Sequence, residues 1–215
     1  MKKRIIKYLV IKLKNLLNSY SGAALPLPRF RNSPENLTIN YPRIIAHPER
    51  ITIGNNVSLG PGCWLMPITG YPSGKMKHPD GELNAQKFDP YIYIGNNVMA
   101  TANLQVFAQN SVTIEDDVMF ASNILVNDGS HGYQSGTIPY KYQPVFRIDP
   151  VVIKKGCWIG QNVVIMPGVT IGEFTIIGAN SVVTKSIPPH CIAAGGPAVV
   201  IKRWDMEKNE WISEK

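Results

Sequence analysis

An aliphatic residue returns at every sixth position through the stretch IKKGCWIGQNVVIMPGVTIGEFTIIGANSVVTK, residues 153–185. Glycine directly follows three of these anchors, and asparagine stands three residues after two of them. Six residues are too few for a helical unit, whereas glycine and asparagine supply the backbone angles of sharp corners. Each hexad therefore predicts a short strand and a corner, and stacked hexads predict a parallel β-solenoid with a narrow core. The anchors are Ile153, Ile159, Ile165, Ile171, Ile177 and Val183.

The same period occurs earlier in the chain, in groups of three anchors that begin at Ile53, Ile94 and Ile114. Three hexads predict one 18-residue coil with three sides. Residues 70–91 and 132–150 interrupt the count, each after a third hexad, so we expect two loops that project from one edge. The predicted segments are an N-terminal helix (1–20), a lead-in with an imperfect coil (21–50), the solenoid domain (51–203) and a polar C-terminal tail (204–215).

The positive charge of the chain is concentrated at its N-terminus. The net charge of the 215 residues is +7, and six basic residues lie within residues 1–14, so the remainder carries only +1. This distribution argues against a nucleic-acid partner. Apolar residues at spacings of three and four predict an amphipathic helix, which either contacts an anionic membrane through residues 1–17 or caps the domain or a neighbouring subunit.

Three cysteines, Cys63, Cys157 and Cys191, are scattered through the chain without metal-ligand spacing. An odd number of unpaired cysteines is typical of a reduced, cytoplasmic protein, and all three are predicted to fill small core positions. We therefore expect no metal site. If residues 1–17 contact a membrane, the protein lies at its inner, cytoplasmic face.

The segment NDGSHGY, residues 127–133, interrupts the repeat and places His131 at the end of its coil, where the second loop leaves. A neutral imidazole there is suited to take a proton from a hydroxyl and return it to a leaving thiol. Asp128 is a candidate to orient His131 or to bind a sugar hydroxyl, although an Asp-Gly turn explains it equally well.

Two stretches carry a family resemblance. Residues 103–131, NLQVFAQNSVTIEDDVMFASNILVNDGSH, resemble galactoside and maltose O-acetyltransferases. NDGSHGY followed by DPVVIKKGCWIGQNVVIMPGVTIG resembles more strongly the capsular and lipopolysaccharide sugar O-acetyltransferases of bacteria, which often carry Asp-His-x-His-Gly-Tyr there. This hexapeptide-repeat family folds as a left-handed parallel β-helix of triangular section. In the present chain Gly129 replaces the first histidine, so the chain has no side chain at that position of the motif.

The resemblance spans residues 50–203 and implies a homotrimer that uses acetyl-CoA to acetylate a sugar or glycan hydroxyl in cell-surface polysaccharide biosynthesis, with His131 as general base. It also implies site residues. Asn103 would touch the acceptor sugar. The coenzyme A channel would be lined by Trp158, Gln161, Ala179, Thr184, Lys185 and either Lys202 or Arg203 near the phosphates.

Several of these residues have a simpler interpretation. Asn103 stands three residues after an anchor, as do Asn123, Asn162 and Asn180, so a ladder of corner residues explains it without a substrate. Trp158 fits packing against a neighbouring coil or subunit. Thr184 and Ala179 fit ordinary coil positions, and Lys202 fits a solvated lysine.

Other functions are also compatible with the solenoid. A xenobiotic acetyltransferase, of the kind that modifies chloramphenicol or streptogramins, fits the C-terminal coils. The zinc carbonic anhydrase on this solenoid requires three histidine ligands, whereas only His131 lies inside the regular coils. A non-catalytic scaffold predicts uninterrupted coils with no histidine at the loop edge. The acceptor itself remains open between a free sugar, a nucleotide sugar and a lipid-linked glycan.

Overall fold

A computed structural model describes residues 26–72 and 85–214. The predicted N-terminal helix and the middle of the first loop lie outside these residues. Within the described ranges no helix is long and apolar enough to cross a membrane. The regular structure of the described residues consists of strands and two single-turn 3-10 helices, Pro48–Arg50 and Tyr140–Tyr142.

The strands of the described chain, in order, are β1 (Thr38–Ile39), β2 (Arg43–Ile45), β3 (Ile51–Ile53), β4 (Ser58–Leu59), β5 (Cys63–Pro67), β6 (Gly70–Tyr71), β7 (Gln86–Lys87), β8 (Tyr91–Ile94), β9 (Met99–Ala108), β10 (Ser111–Ile114), β11 (Met119–Asn127), β12 (Ser130–His131), β13 (Val145–Phe146), β14 (Val151–Ile153), β15 (Trp158–Ile159), β16 (Val164–Ile165), β17 (Thr170–Ile171), β18 (Ile176–Ile177), β19 (Val182–Val183), β20 (Cys191–Gly195), β21 (Ala198–Asp205) and β22 (Glu210–Ser213).

Stacked parallel strands form three flat faces around one core, which confirms the predicted solenoid. Face A contains β3, β8, β10, β14 and β17. Face B contains β1, β4, the first part of β9, the first part of β11, β15, β18 and β20. Face C contains β2, β5, the remainder of β9 and β11, β16 and β19. The coils form a left-handed parallel β-helix.

The predicted anchors fill the core. Every anchor from Ile53 to Val183 is buried, and Phe120 is the largest fully buried side chain. Cys63, Cys157 and Cys191 are also buried and unpaired, in agreement with their prediction as core fillers. Burial of this continuous apolar column provides the main stabilisation of the stacked coils, because no single hexad encloses its own apolar surface.

The predicted coil length of 18 residues is correct only for the C-terminal coils. Asn162 and Asn180, at equivalent corners, are 18 residues apart, whereas Asn103 and Asn123 are 20 apart. The two additional residues lie at the corner between faces C and A. Four positions separate Ala108 from the next buried residue, Val112, whereas two positions separate Pro167 from Val169. Ala108 and Asp128 occupy the last inward position of face C in successive coils, and both are fully buried.

The prediction of a polar tail over residues 204–215 is wrong for the described part of that segment. After the last coil, β20, β21 and β22 form an antiparallel meander that continues the sheet of face B. The side chain of Asp205 accepts hydrogen bonds from the backbone N–H groups of Glu207 and Lys208 at 2.9 and 3.0 Å, which closes the turn. Trp204 and Trp211 then pack edge to face across the hairpin, with 5.3 Å between ring centroids.

The corner between faces B and C, called here the ladder edge, carries a column of asparagines with positive φ. Asn103 donates to Asn123 at 2.8 Å, Asn123 to Asn162 at 3.0 Å, and Asn162 to Asn180 at 2.9 Å. Asparagine tolerates left-handed backbone geometry, and its amide supplies both a donor and an acceptor for such a column. The corner interpretation of Asn103 therefore has direct structural support.

Candidate active site

The two loops that interrupt the repeat meet at the corner between faces C and A, called here the loop edge. In the first loop β6 pairs with β7, and in the second β12 pairs with β13, both antiparallel. The side chain of Gln86 joins the loops through two hydrogen bonds to the backbone of Val145, at 2.6 and 3.1 Å. The prediction that both loops project from one edge is confirmed.

His131 lies on β12, directly opposite Val145, and its side chain is exposed. The ring of Tyr71, from the first loop, packs edge to face against the imidazole with 5.2 Å between centroids. Within the described ranges, no hydrogen bond or ion pair engages the imidazole nitrogens. Both nitrogens are therefore available to an incoming hydroxyl, which is a requirement for a general base.

The second loop is organised by Gln143, which is almost completely buried. Its amide oxygen accepts a hydrogen bond from the N–H of Ser135. Its amide nitrogen donates hydrogen bonds to the carbonyl oxygens of Ser135 and Ile138, and all three bonds measure 2.8 to 3.0 Å. The loop leaves Tyr133, Phe146 and Tyr140 exposed. The rings of Tyr133 and Phe146 pack edge to face, with 5.6 Å between their centroids.

Asp128 does not point toward His131 or solvent. Its side chain is completely buried at the last inward position of face C. Its two carboxylate oxygens accept hydrogen bonds from the backbone N–H groups of Gln109 and Asn110, both at 2.7 Å. Burial raises the pKa of this carboxyl, while the N–H donors partly offset that rise. We therefore assign Asp128 to the backbone of the loop edge rather than to a substrate, which corrects the sequence prediction.

Gly129 marks the departure from the family motif, and the structure shows which side chain occupies the adjacent space. A Cβ atom at this position would lie 2.0 Å from Oε1 of Gln109 in the coil below. That oxygen is buried and has no hydrogen-bond partner among the residues that the structure describes. Gln109 therefore fills space that a side chain at position 129 would need, and the sequence motif gave no sign of this pairing.

The residues predicted to line the coenzyme A channel fall into two groups. Gln161 and Ala179 are exposed at the ladder edge, and Trp158 is exposed beside them on face B. In the outward row of face B, Trp158 neighbours Ile176, then Ile192 and then Lys202. Thr184 and Lys185 are exposed at the other end of face C, on the loop edge.

Of the two basic candidates for phosphate contact, Lys202 is the better placed. Arg203 pairs with Glu214 through an ion pair, and its guanidinium lies 3.4 Å from the thiol of Cys191. Lys202 makes no such ion pair within the described chain. An unpaired ammonium group is free to interact with a phosphate as a point charge.

His131 and the ladder edge lie at opposite sides of face C. The segment of β11 that crosses this face, from Asn123 to Asn127, spans about 13 Å at the usual rise of a strand. Within one subunit, therefore, the width of face C separates His131 from Asn103, Gln161 and Ala179. Faces B and C also expose large apolar side chains, namely Met99, Met119 and Trp158 on face B and Ile44 and Trp64 on face C.

Other catalytic chemistries have little support among the described side chains. Within the described ranges, no cluster of three His, Cys, Asp or Glu residues has a metal-binding arrangement. Burial raises the pKa of the Cys157 thiol to about 11 and also raises the pKa values of the Cys63 and Cys191 thiols. Buried thiols with raised pKa values are poor nucleophiles.

Comparison with known proteins adds independent information. The family pattern described as bacterial transferase hexapeptide (six repeats) matches residues 150–185. Galactoside O-acetyltransferase of Escherichia coli (strain K12) is 41% identical over 111 residues, 52% of this chain and 53% of the relative. The structure of a galactoside acetyltransferase in complex with coenzyme A is 31% identical, with a TM-score of 0.51, and covers 74% of this chain and 71% of that one.

Two further proteins are similar. The putative lipopolysaccharide biosynthesis O-acetyl transferase WbbJ of Escherichia coli (strain K12) is 35% identical over 127 residues, 56% of this chain and 64% of the relative. A variant of AntD, an N-acyltransferase from Bacillus cereus solved with dTDP and coenzyme A, is 25% identical with a TM-score of 0.65, and covers 83% of this chain and 87% of that one. The matches thus span 53% and 64% of the length of the two curated relatives.

Proposed function

We propose, given that the chain belongs to the hexapeptide-repeat acyltransferase family, that it is an acetyl-CoA-dependent O-acetyltransferase that acts on a sugar hydroxyl. The observation that carries the proposal is the exposed imidazole of His131, unbonded among the described residues, at the edge where two loops meet. The similarity to WbbJ supports a role in the biosynthesis of cell-surface polysaccharide.

In the proposed reaction, a nitrogen of neutral His131 takes the proton of the sugar hydroxyl while the hydroxyl oxygen attacks the thioester carbonyl carbon of the co-substrate. Backbone N–H groups stabilise the oxyanion of the tetrahedral intermediate. When the C–S bond breaks, the imidazolium returns the proton to the thiolate, which yields the O-acetylated sugar and coenzyme A. No acyl-enzyme is required, and the buried thiols do not favour one.

The proposed active unit is a homotrimer with its sites between subunits. A three-sided prism packs naturally about a threefold axis, and the exposed apolar residues of faces B and C would be covered there. The loop edge of one subunit would then lie against the ladder edge of the next. This arrangement would bring His131 of one copy to Asn103, Trp158, Gln161 and Ala179 of another.

In this arrangement Asn103 would contact the acceptor sugar, and the exposed backbone at Gln161 and Ala179 would bind the pantetheine arm of the co-substrate. Thr184 and Lys185 would approach from the loop edge, and Lys202 would interact with the phosphates. These positions fit an extended, thin ligand that runs along a groove between prisms. Arg203 is a weaker candidate because it is already paired with Glu214.

We further propose that residues 1–17 hold the enzyme at the inner face of the membrane when the acceptor is membrane-borne. Each basic residue near an anionic lipid surface contributes about 1 kcal/mol of attraction. Deletion of residues 1–17 should then reduce binding to anionic vesicles and acetylation of lipid-linked glycan, while activity on a small soluble acceptor persists. Loss of the oligomer or of soluble activity would instead identify the segment as a structural cap.

The function is tested by measuring acetyl-CoA consumption against free sugars, nucleotide sugars, lipid-linked glycans and chloramphenicol, with mass spectrometry of each product. A sugar product that gains one acetyl ester supports the proposal. Turnover of chloramphenicol alone, or acetylation of an amine alone, would overturn it in favour of another acyltransferase activity.

The shared site is tested by mixing two inactive variants, His131→Ala and Ala179→Trp, which removes the base from one copy and blocks the groove of the other. In randomly mixed trimers, about a quarter of the interfaces between subunits would combine an intact histidine with an intact groove. Recovery of about a quarter of wild-type activity after mixing supports a site between subunits. If each chain carried a complete site, mixing would restore no activity.

A further inference from the structure

The first loop forms hydrogen bonds to the hairpin that carries His131, at the residue opposite the histidine. The amide nitrogen of Gln86 donates to the carbonyl oxygen of Val145 at 3.1 Å, and the N–H of Val145 donates to the amide oxygen of Gln86 at 2.6 Å. Val145 is the direct partner of His131 in the β12–β13 pair. The glutamine side chain therefore replaces the missing neighbour strand on the outer edge of β13.

The strand partner of Gln86 contacts the histidine itself. Tyr71 pairs with Gln86 in the β6–β7 hairpin, and its ring packs against His131 at 5.2 Å and an interplanar angle of 68°. Its hydroxyl donates to the carbonyl oxygen of Lys141 in the second loop. Two directly paired residues of the first loop thus hold both the backbone behind His131 and the ring of His131.

The hairpin needs such a support. The strands β12 and β13 contain two residues each, and an isolated pair of this length is marginal in water. Because no described side chain hydrogen-bonds the imidazole, its orientation depends on packing, and Tyr71 provides the aromatic contact. Val145, held by Gln86, is 6% exposed, which makes it the fixed part of an otherwise exposed hairpin.

We infer that Gln86 and Tyr71 are positioning residues that hold the imidazole of His131 in place for the proposed acetyl transfer. The inference rests on the proposed function, because it assigns them an effect on the proton transfer at His131. A displacement of the base of about 1 Å is sufficient to lower turnover by about 10²-fold. The binding of coenzyme A should change little, because neither Gln86 nor Tyr71 is among the residues proposed to contact it.

The test uses the full chain with the variants Gln86→Met and Tyr71→Leu. Gln86→Met keeps the length of the side chain but removes its two hydrogen bonds to Val145. Tyr71→Leu keeps an apolar side chain but removes the aromatic contact with His131 and the hydroxyl bond to Lys141. Each should lower kcat by about 10- to 100-fold, with the KM for acetyl-CoA within about twofold of wild type. Lys87→Ala is the matched control, because Lys87 follows Gln86 on the same strand and is exposed. It should leave kcat unchanged.

The decisive measurement repeats both substitutions in the His131→Ala background. If Gln86 and Tyr71 act through His131, neither substitution lowers the residual turnover further. Equal losses in both backgrounds, or a wild-type kcat for both single variants, would overturn the positioning role. If Gln86→Met does not fold, as judged by circular dichroism, Tyr71→Leu decides by the same criterion. A normal turnover of His131→Ala alone would instead contradict the proposed function.

Discussion

The two edges of face C are built by opposite rules. At the ladder edge, four coils place asparagine at the same corner, and each amide bonds the next at 2.8 to 3.0 Å. At the loop edge, different coils lead to different residues, among them Tyr71, His131 and Thr184, and two loops interrupt the repeat. Repetition at the ladder edge serves the backbone geometry of each coil, whereas the candidate base belongs to the edge that does not repeat.

The strongest test of this contrast is His131→Ala, which removes the candidate base from the loop edge. Turnover should fall by about 10²- to 10⁴-fold, because a positioned acid–base group contributes an effect of that size. The melting temperature should stay near that of wild type, since the side chain is exposed. Initial rates of coenzyme A release and circular dichroism melting provide the two measurements, and near-normal turnover in a folded variant would remove His131 from the mechanism.

The next largest effect should come from Asp128, which supports the loop edge from inside. Asp128→Ala leaves two backbone N–H groups without acceptors and should lower the free energy of unfolding by about 2–5 kcal/mol. Asp128→Asn, the matched control, retains one acceptor oxygen and should lose less. Urea unfolding measures both values, and a destabilisation of Asp128→Ala below about 1 kcal/mol would contradict the assigned role.

At the ladder edge the substitution to compare is Asn123→Ala, where φ is 63°. Alanine loses two ladder bonds and adopts left-handed geometry poorly, so the free energy of unfolding should fall by about 1–3 kcal/mol with little change in kcat. Asn123→Gly loses the same bonds but tolerates the geometry, and it should be the more stable variant of the two. If urea unfolding gives the same free energy of unfolding for Asn123→Ala and Asn123→Gly, the left-handed backbone geometry does not explain the asparagine at this position.

The smallest expected effect is a pH dependence that arises from Asp128. Burial raises the pKa of its carboxyl in the folded state, so the native protein binds more protons than the unfolded chain between the ordinary and the raised pKa. This contribution to stability is present at the acidic end of that window and is lost as the pH rises through the raised pKa. The free energy of unfolding of wild type minus that of Asp128→Asn should therefore decrease from acidic toward neutral pH, and an increase would reverse the assigned direction.

The solenoid was predictable from the sequence because an inward residue at a fixed interval leaves the same trace in every coil. The two additional residues at the loop edge were missed, since an even number of added residues preserves the in–out alternation and leaves the next anchor intact. The C-terminal hairpin was also missed, because β21 and β22 follow no hexad period. Its cross-strand aromatic pair, Trp204 and Trp211, was the available signal.

The candidate site was predictable only as a location. The break in the repeat indicated where His131 lies, because loops that leave after equivalent hexads must share an edge. The neighbours of His131 gave no such signal, since Gln86 reaches Val145 across 59 residues of sequence. Asp128 illustrates the opposite error, because a polar residue three positions before His131 suggested a functional role, whereas its side chain is buried and bonds the backbone of Gln109 and Asn110.

The hydrogen bonds of the asparagine column at the ladder edge all run in the same direction. In each bond the coil nearer the N-terminus supplies the Nδ2 donor and the following coil supplies the Oδ1 acceptor. The amide dipoles therefore add head to tail along the prism axis, and neighbouring bonds polarise one another. A second column from Asn36 through Asn56 and Asn97 runs the same way and terminates on the carboxylate of Asp117, an acceptor that cannot pass the chain on. If one amide rotated by half a turn, its NH₂ group would face the NH₂ group of a neighbouring asparagine. The orientation of each amide in a column therefore depends on the orientation of its neighbours.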